Sequence, residues 1–340
     1  MKILVTGGTG YIGSHTAVEL VNQGYEVIII DNLSNSERFI LDRIKQITGH
    51  LPKFYECDLV DYEKVSHIFA ENRDIQGVIH FAAYKAVGES VEKPLNYYRN
   101  NLVSLINLLE IMDKYQVANF VFSSSCTVYG QPDKLPVKED APIKMAFSPY
   151  GNTKQISEEI IADTIKSGSN IQAISLRYFN PIGAHESALI GELPRGVPNN
   201  LIPFITQTAI GIREQLRVFG DNYNTPDGSC IRDYIHVVDL AKAHNVALDR
   251  LIKNRNKKSY EVFNLGTGNG FSVFEAIKSF EKVSGVKLNY KVVDHRPGDI
   301  EQIWADTRYA NTELGWCAVH DLNSMLLSAW NWEKNYRRIN

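Results

Sequence analysis

The chain is poor in cysteine. Four occur in 340 residues, Cys57, Cys126, Cys230 and Cys317, and none are close enough to form a C-x-x-C pair. A disulfide scaffold and a zinc site are both disfavoured, and a reducing compartment fits. The nine histidines show no metal-ligand spacing, so no metal is expected. An excess of one charge is also lacking. The net charge is -3, which gives no reason to expect nucleic acid or an anionic membrane as partner. Long apolar runs are missing too. Met1 to Val5 is apolar, but Gly7, Gly8 and Gly10 interrupt it before the core of a signal peptide could form. No stretch approaches the ~20 apolar residues of a membrane span. The cytoplasm is the simplest expected location. What is present is an ordinary globular balance, 44% hydrophobic and 22% charged. The length suits one large or two coupled domains.

Short apolar runs punctuate the first half. Lys2 to Thr6 reads as a buried strand, followed by a glycine turn and a helical pattern through Val21, with Gly24 as its stop. Glu26 to Ile30 is the next strand, ending at Asp31. Lys53 to Cys57, Gly77 to Phe81, Asn119 to Ser123 and Ile171 to Arg177 follow, separated by helix-like segments. That alternation predicts an α/β chain with a parallel sheet and helices on both faces. After Asn180 the rhythm changes. Pro181, Gly183, Gly191, Pro194, Gly196, Pro198 and Pro203 crowd a short region and predict loops and turns, where specificity usually resides. Val237 to Leu251 reads as a helix and Tyr260 to Leu265 as a strand, both able to return to the first sheet. The basic run Lys253 to Lys258 reads as a solvated loop.

The first glycine turn reads Gly7-Gly8-Thr9-Gly10-Tyr11-Ile12-Gly13. It follows a predicted strand and opens a predicted helix. Glycines let the backbone approach a pyrophosphate, which then faces the free N–H groups and dipole of the helix start. Asp31 ends the second strand eighteen residues after Gly13, where a carboxylate accepts from an adenosine ribose and repels the extra phosphate of NADP. NAD is therefore the expected cofactor, with nearby Arg38 as the one feature that keeps NADP open.

Two further motifs carry chemistry. Ser123-Ser124-Ser125 ends the Asn119 strand, and Tyr150-x-x-x-Lys154 opens a helical segment. Four-residue spacing puts Tyr150 and Lys154 on one helix face. A free tyrosine has a pKa near ~10. A neighbouring ammonium and a cationic nicotinamide favour its phenolate, which could then accept a proton from a sugar hydroxyl, with Ser125 bonding or relaying at the same oxygen.

At these residues the sequence resembles the extended short-chain dehydrogenase/reductase family, and within it the enzymes that invert carbon 4 of a UDP-hexose. The resemblance runs almost end to end. It includes Val5-Thr6-Gly7-Gly8, Lys85-Ala86-Val87-Gly88-Glu89-Ser90, Val128-Tyr129-Gly130, Ser148-Pro149-Tyr150-Gly151, Leu176-Arg177-Tyr178-Phe179-Asn180-Pro181, Pro198-Asn199-Asn200-Leu201 and Arg232-Asp233-Tyr234-Ile235-His236-Val237. It implies a Rossmann-type doubly wound parallel sheet with a smaller C-terminal α/β substrate domain. Residues 1–180 would bind NAD, with 236–265 returning to them, and 181–235 with 266–340 would bind the nucleotide sugar. It also implies a homodimer. By motif position the NAD contacts fall on Gly7, Gly10, Tyr11, Ile12, Gly13, Asp31, Asn32, Ser36, Asp58, Leu59, Phe81, Ala82, Lys85, Asn100, Ser125, Tyr150, Lys154 and Phe179. The nucleotide-sugar contacts fall on Lys85, Ser125, Tyr150, Asn180, Asn200, Leu201, Phe219, Arg232, Arg296, Asp299 and Ile303. Ser125, Tyr150 and Lys154 are the implied catalytic set. The two arginines suit a diphosphate, since a guanidinium presents paired donors.

The chain also departs from the family pattern. Ala83-Tyr84 stands where the family has Gly-Leu, and Ile303 stands at the position bordering the sugar's 2-substituent. Tyrosine there resembles the glucose/galactose type, while serine or cysteine resembles enzymes that admit N-acetylated sugars. Isoleucine is intermediate, so UDP-glucose and UDP-galactose are the expected pair, with the N-acetylated pair, or both pairs, as the alternative. Two rival readings are a nucleotide-sugar 4,6-dehydratase and a non-enzymatic NAD sensor. The first would carry an Asp-Glu pair after the strand-end residue, where this chain has Cys126-Thr127. The second leaves the Ser125, Tyr150 and Lys154 set without a purpose.

Overall fold

A computed structural model of the chain describes residues 1–296 and 299–339. Its central element is a seven-stranded sheet built from β1 (Lys2–Thr6), β2 (Glu26–Asp31), β3 (Lys53–Glu56), β4 (Ile75–His80), β5 (Asn119–Ser125), β6 (Gln172–Tyr178) and β11 (Tyr260–Leu265). The strand order is β11-β6-β5-β4-β1-β2-β3, with every pair parallel. Parallel strands buried on both faces need apolar side chains on both. Ile3 and Val5 of β1 accordingly point into one core cluster with Val27 and Ile29, while Leu4, Ile28 and Ile30 point into the opposite one. Helices α1 (Tyr11–Asn22), α2 (Ile40–Thr48) and α9 (Val237–Ile252) cover the first face; α3 (Tyr62–Glu71), α6 (Ser104–Lys114) and α7 (Pro149–Lys166) cover the second. Two short helices, α4 (Val87–Glu92) and α5 (Pro94–Tyr98), lead into α6 through a π-helical turn over Arg99–Val103.

Strand order reverses between β1 and β4. The crevice outside the carboxyl ends of those strands is where such a sheet binds ligands. Later in the chain, β11 pairs with β6 over six residues. Boundaries moved modestly: β4 starts at Ile75 rather than Gly77, and β5 extends through Ser125.

A second region follows Phe179. Strand β7 (Asn180–Ile182) pairs with β10 (Tyr234–His236). Strand β9 (Ile231–Arg232) is flanked by β12 (Phe271–Ser272) and β14 (Gln302–Ile303), and β8 (Leu216–Phe219) pairs with β13 (Tyr290–Val293). Helices α8 (Leu201–Ala209), α10 (Val273–Ser284) and α11 (Leu322–Ile339) enclose an apolar cluster that includes Ile205, Phe280, Met325 and Trp330. The α10 start has a capping box in which Ser272 and Glu275 bond each other's backbone. The crowded Pro/Gly region is not all loop. Pro203 sits in the first turn of α8, where its missing N–H removes no intrahelical bond. Among the described residues no helix is long and apolar enough to cross a membrane.

Candidate active site

The glycine turn sits at the carboxyl end of β1. Gly7 adopts φ +68, and a Cβ on it would lie 2.8 Å from the Ala82 nitrogen, at the end of neighbouring β4. A Cβ on Gly13 would lie 2.2 Å from the Gly7 carbonyl oxygen. Side chains are thus excluded where strand, turn and helix meet. Gly10 caps α1 in extended conformation with no side-chain acceptor. Tyr11, Ile12 and Gly13 are the first residues of that helix, so their N–H groups face outward free for an anion.

Asp31 is buried at the end of β2. Its carboxylate accepts from Thr9 N (3.1 Å), Leu33 N (2.9 Å) and the Ser36 hydroxyl (3.1 Å). The Asn32 amide donates to Asp58 (3.0 Å), joining the ends of β2 and β3, and the Leu59 carbonyl is held by Asn107 (2.9 Å). Arg38, which had kept NADP open, pairs with Glu56 at 3.0 Å, at the end of β3 next to Asp31. Phe81 follows β4 and packs 4.6 Å from the His244 ring. Asn100 lies in the π-helical turn and donates to Asn101 (3.0 Å), which also fixes Tyr84: the Tyr84 N–H donates to Asn101 at 2.8 Å, and its ring lies 5.5 Å from Tyr97. These residues fit a dinucleotide, with a backbone anion cradle at one end and a buried carboxylate beside it.

Ser125 ends β5 and starts a 3-10 turn; its hydroxyl accepts from Thr127 N at 3.2 Å. Helix α7 begins with Ser148 bonding Gly151 N (3.2 Å) and Pro149 in its first turn. That start places Tyr150 facing Ser125 and Lys154 one turn deeper. Burial pushes the Tyr150 phenol up to about 12, with Ser125 acting the other way. Burial pulls the Lys154 ammonium down to about 8, opposed by Glu158. Lys154 Nζ donates to the Ser123 carbonyl at 2.6 Å.

A buried layer beneath this set joins residues of three sequence motifs to Glu158, which no motif had singled out. Arg177 grips Glu158 through Nε (3.0 Å) and Nη2 (2.5 Å) and donates to Tyr129 Oη (2.9 Å), while Ser124 donates to Glu158 (2.5 Å). The signal for Glu158 was present, because Tyr150, Lys154 and Glu158 are spaced by four along α7. Ser123 and Tyr178 hydroxyls bond each other. The Thr127 hydroxyl, two residues after Ser125, is buried without a partner among the described residues.

The second region brings four of the expected nucleotide-sugar residues together. Arg296 binds Asp299 (2.7 Å) and lies 5.5 Å from the Phe219 ring centroid; Arg232 lies 3.6 Å from the same carboxylate. Asp299 is therefore held between two guanidinium groups. Asn180 opens β7, and Asn200 caps α8 ahead of Leu201. Asn200 donates to Glu192 (2.6 Å), which also accepts from Lys85 (3.2 Å). Glu192 too was missed in the sequence, since nothing in its loop marks it. Ile303 is 2% exposed and packs in an apolar cluster with Cys126, Val128, Tyr129, Phe179 and Ala305.

With this geometry in place, similarity to known proteins decides the family. A UDP-glucose 4-epimerase of Haemophilus influenzae is 52% identical over 335 residues, 98% of each chain. The chain belongs to the UDP-glucose 4-epimerase family. A solved family member from Stenotrophomonas maltophila, with bound NAD and formylated UDP-arabinopyranose, superimposes at TM-score 0.96 with 47% identity, covering all of both chains. Another, from Bifidobacterium longum in complex with NAD+ and UDP, gives 0.95 and 46%, covering 99% of each. A broader family model, described as GDP-mannose 4,6 dehydratase, matches residues 4–328. The acid pair expected for dehydration is replaced here by Cys126 and Thr127.

Proposed function

We propose that the chain interconverts UDP-glucose and UDP-galactose by inverting carbon 4, with NAD as resident cofactor. The observation that carries this reading is the convergence of Ser125, Tyr150 and Lys154 at the carboxyl end of β5, two strands from the glycine turn, with no acid after Ser125. When bound, NAD supplies a hydride acceptor and donor and a positive nicotinamide ring. Tyr150 takes the proton from the 4-hydroxyl, and Ser125 holds that oxygen. The Lys154 ammonium favours the phenolate, and Glu158 with Arg177 fixes the helix face that carries it. The 4-keto sugar turns over while its UDP stays anchored, and Tyr150 returns the proton. Binding energy must then reside on UDP, because a tight grip on the hexose would oppose rotation. Arg232 and Arg296 grip the diphosphate, Phe219 and Leu201 the nucleoside, Asp299 the ribose, and Asn180 and Asn200 add neutral bonds. Asp31, Asn32 and Ser36 hold the adenosine ribose, Asp58 and Leu59 the adenine side, and Phe81, Ala82, Lys85, Asn100 and Phe179 line the nicotinamide half. Ile303 walls the space at the 2-position.

We assign residues 1–180 with 236–265 to cofactor binding and 181–235 with 266–340 to the nucleotide sugar. Free cysteines, three of them buried, suit a cytoplasmic protein. Exposed Val91, Leu95 and Ile106 on α4 to α6 suit a homodimer. The test of function is incubation of purified protein with UDP-galactose and no added NAD, followed by nucleotide-sugar chromatography. Formation of UDP-glucose is expected; unchanged substrate from NAD-replete protein would reject the reading.

A further inference from the structure

One segment crosses from the second region back over the first. It runs from Gly191 to Asn200. Its root is fixed: a Cβ on Gly191 would lie 2.4 Å from Trp332, whose indole N–H donates to the Glu192 carbonyl (3.1 Å). Glu192 then reaches Lys85, in the loop after β4. Three residues on, Arg195 reaches a different loop. Its Nη1 donates to the Ser34 carbonyl at 2.6 Å, and its Nη2 donates to the Ser36 carbonyl at 2.7 Å and to Glu37 at 3.0 Å. Those residues follow β2 and include Ser36, which donates to Asp31.

The sheet order makes this placement informative. Strand β1 lies between β4 and β2. A segment tied to the loop after β4 at one point and to the loop after β2 at another passes over the end of β1, and therefore over the glycine turn. Ahead of the segment, a separate bond joins the second region to the start of α1, where the Tyr11 hydroxyl donates to the Gly183 carbonyl at 2.6 Å. A dinucleotide held at these strand ends would lie beneath the segment.

We propose that Arg195 is a latch that holds this segment over the adenosine end of the cleft and sets how slowly NAD leaves. The proposal rests on the assignment of the glycine turn and Asp31 to NAD made above. Arginine suits the task because its planar fork bonds two carbonyls at once, which a lysine ammonium on a flexible stem does not reproduce. The Arg195 side chain is 47% exposed, so the latch is weakened by salt rather than locked. Its fastening is reversible, as cofactor exchange requires.

The test loads isotopically labelled NAD into wild-type protein and into the Arg195→Ala, Arg195→Lys and Asp31→Ala variants. Each is diluted into unlabelled NAD, and retained label is followed by rapid filtration. Arg195→Ala should lose label about tenfold faster than wild type, the scale of one charge-assisted contact, with Arg195→Lys between them. Circular dichroism and NAD stoichiometry at saturation check that the variants are folded. Equal release from wild type and Arg195→Ala, with Asp31→Ala weakened, overturns the latch alone. Wild-type retention in Asp31→Ala overturns the cofactor placement on which it rests.

Discussion

Lys154→Met removes the buried cation one helical turn from the candidate base, and it nearly preserves side-chain length. Lys154 is buried, donates to the Ser123 carbonyl and stands one turn below Tyr150. Its pKa, pulled down to about 8 by burial, leaves it charged at neutral pH. The Tyr150 phenol is pushed the other way, up to about 12, by its own burial. Residues four apart on a helix lie roughly 6 Å from each other, and at an effective dielectric of ~20 a charge pair at that separation contributes ~3 kcal/mol. That equals about two pKa units, or a hundredfold in the ionised fraction of Tyr150. The assay is kcat for UDP-galactose as a function of pH, with UDP affinity by calorimetry as control. Loss of the cation raises the phenol pKa, so the acid limb of kcat should move up by about two units and kcat at neutral pH should fall about a hundredfold. UDP affinity should be nearly unchanged, because the arginines proposed to hold it are elsewhere. A kcat within about threefold of wild type, with an unshifted acid limb, would refute the electrostatic argument.

Four other outcomes follow from the same structure. Tyr150→Phe should lower kcat by ~10²–10⁴-fold while leaving UDP binding intact; unchanged turnover in a folded variant would remove Tyr150 from the mechanism. Arg232→Ala should weaken UDP binding by ~1.5–3 kcal/mol, since it deletes a charge-assisted contact, and wild-type affinity by calorimetry would reject the clamp. Ile303→Tyr should lower the ratio of kcat/KM for N-acetylated over plain UDP-galactose, with Ile303→Ser moving it the other way; a constant ratio would show that another residue gates the 2-position. Burial lowers His15 and His80 to about 3 and His236 and His244 to about 4. These histidines stay neutral when folded but gain protons near pH 6.5 when unfolded. Stability should therefore fall as pH drops from about 6.5 toward 4, by on the order of 1 kcal/mol per histidine at pH 5.5. A flat urea midpoint across that range would contradict their neutral burial.

Local order explains what could be read before any coordinates. The β1 turn and α1 were legible because strand, glycines and helix are contiguous and each constrains the next. Lys154 was legible from its spacing to Tyr150 alone. Arg177 was not, because its partnership with Glu158 depends on β6 lying beside β5, where Ser124 pairs with Arg177. No periodicity in one strand reveals its neighbour's register. Arg195 was hidden for a similar reason, since its carbonyl partners lie far away in sequence, in the loop after β2. Pro203 misled in the opposite direction: a proline among glycines reads as loop, yet one in a first helical turn is compatible with α8.

Inversion through bound NAD requires that hydrogen leave carbon 4 and return to it without passing through water. UDP-galactose deuterated at carbon 4, incubated with the protein in ordinary water without added NAD, tests this directly. The UDP-glucose formed should retain its deuterium at carbon 4. A product carrying ordinary hydrogen there, or one lighter by a molecule of water, would contradict it.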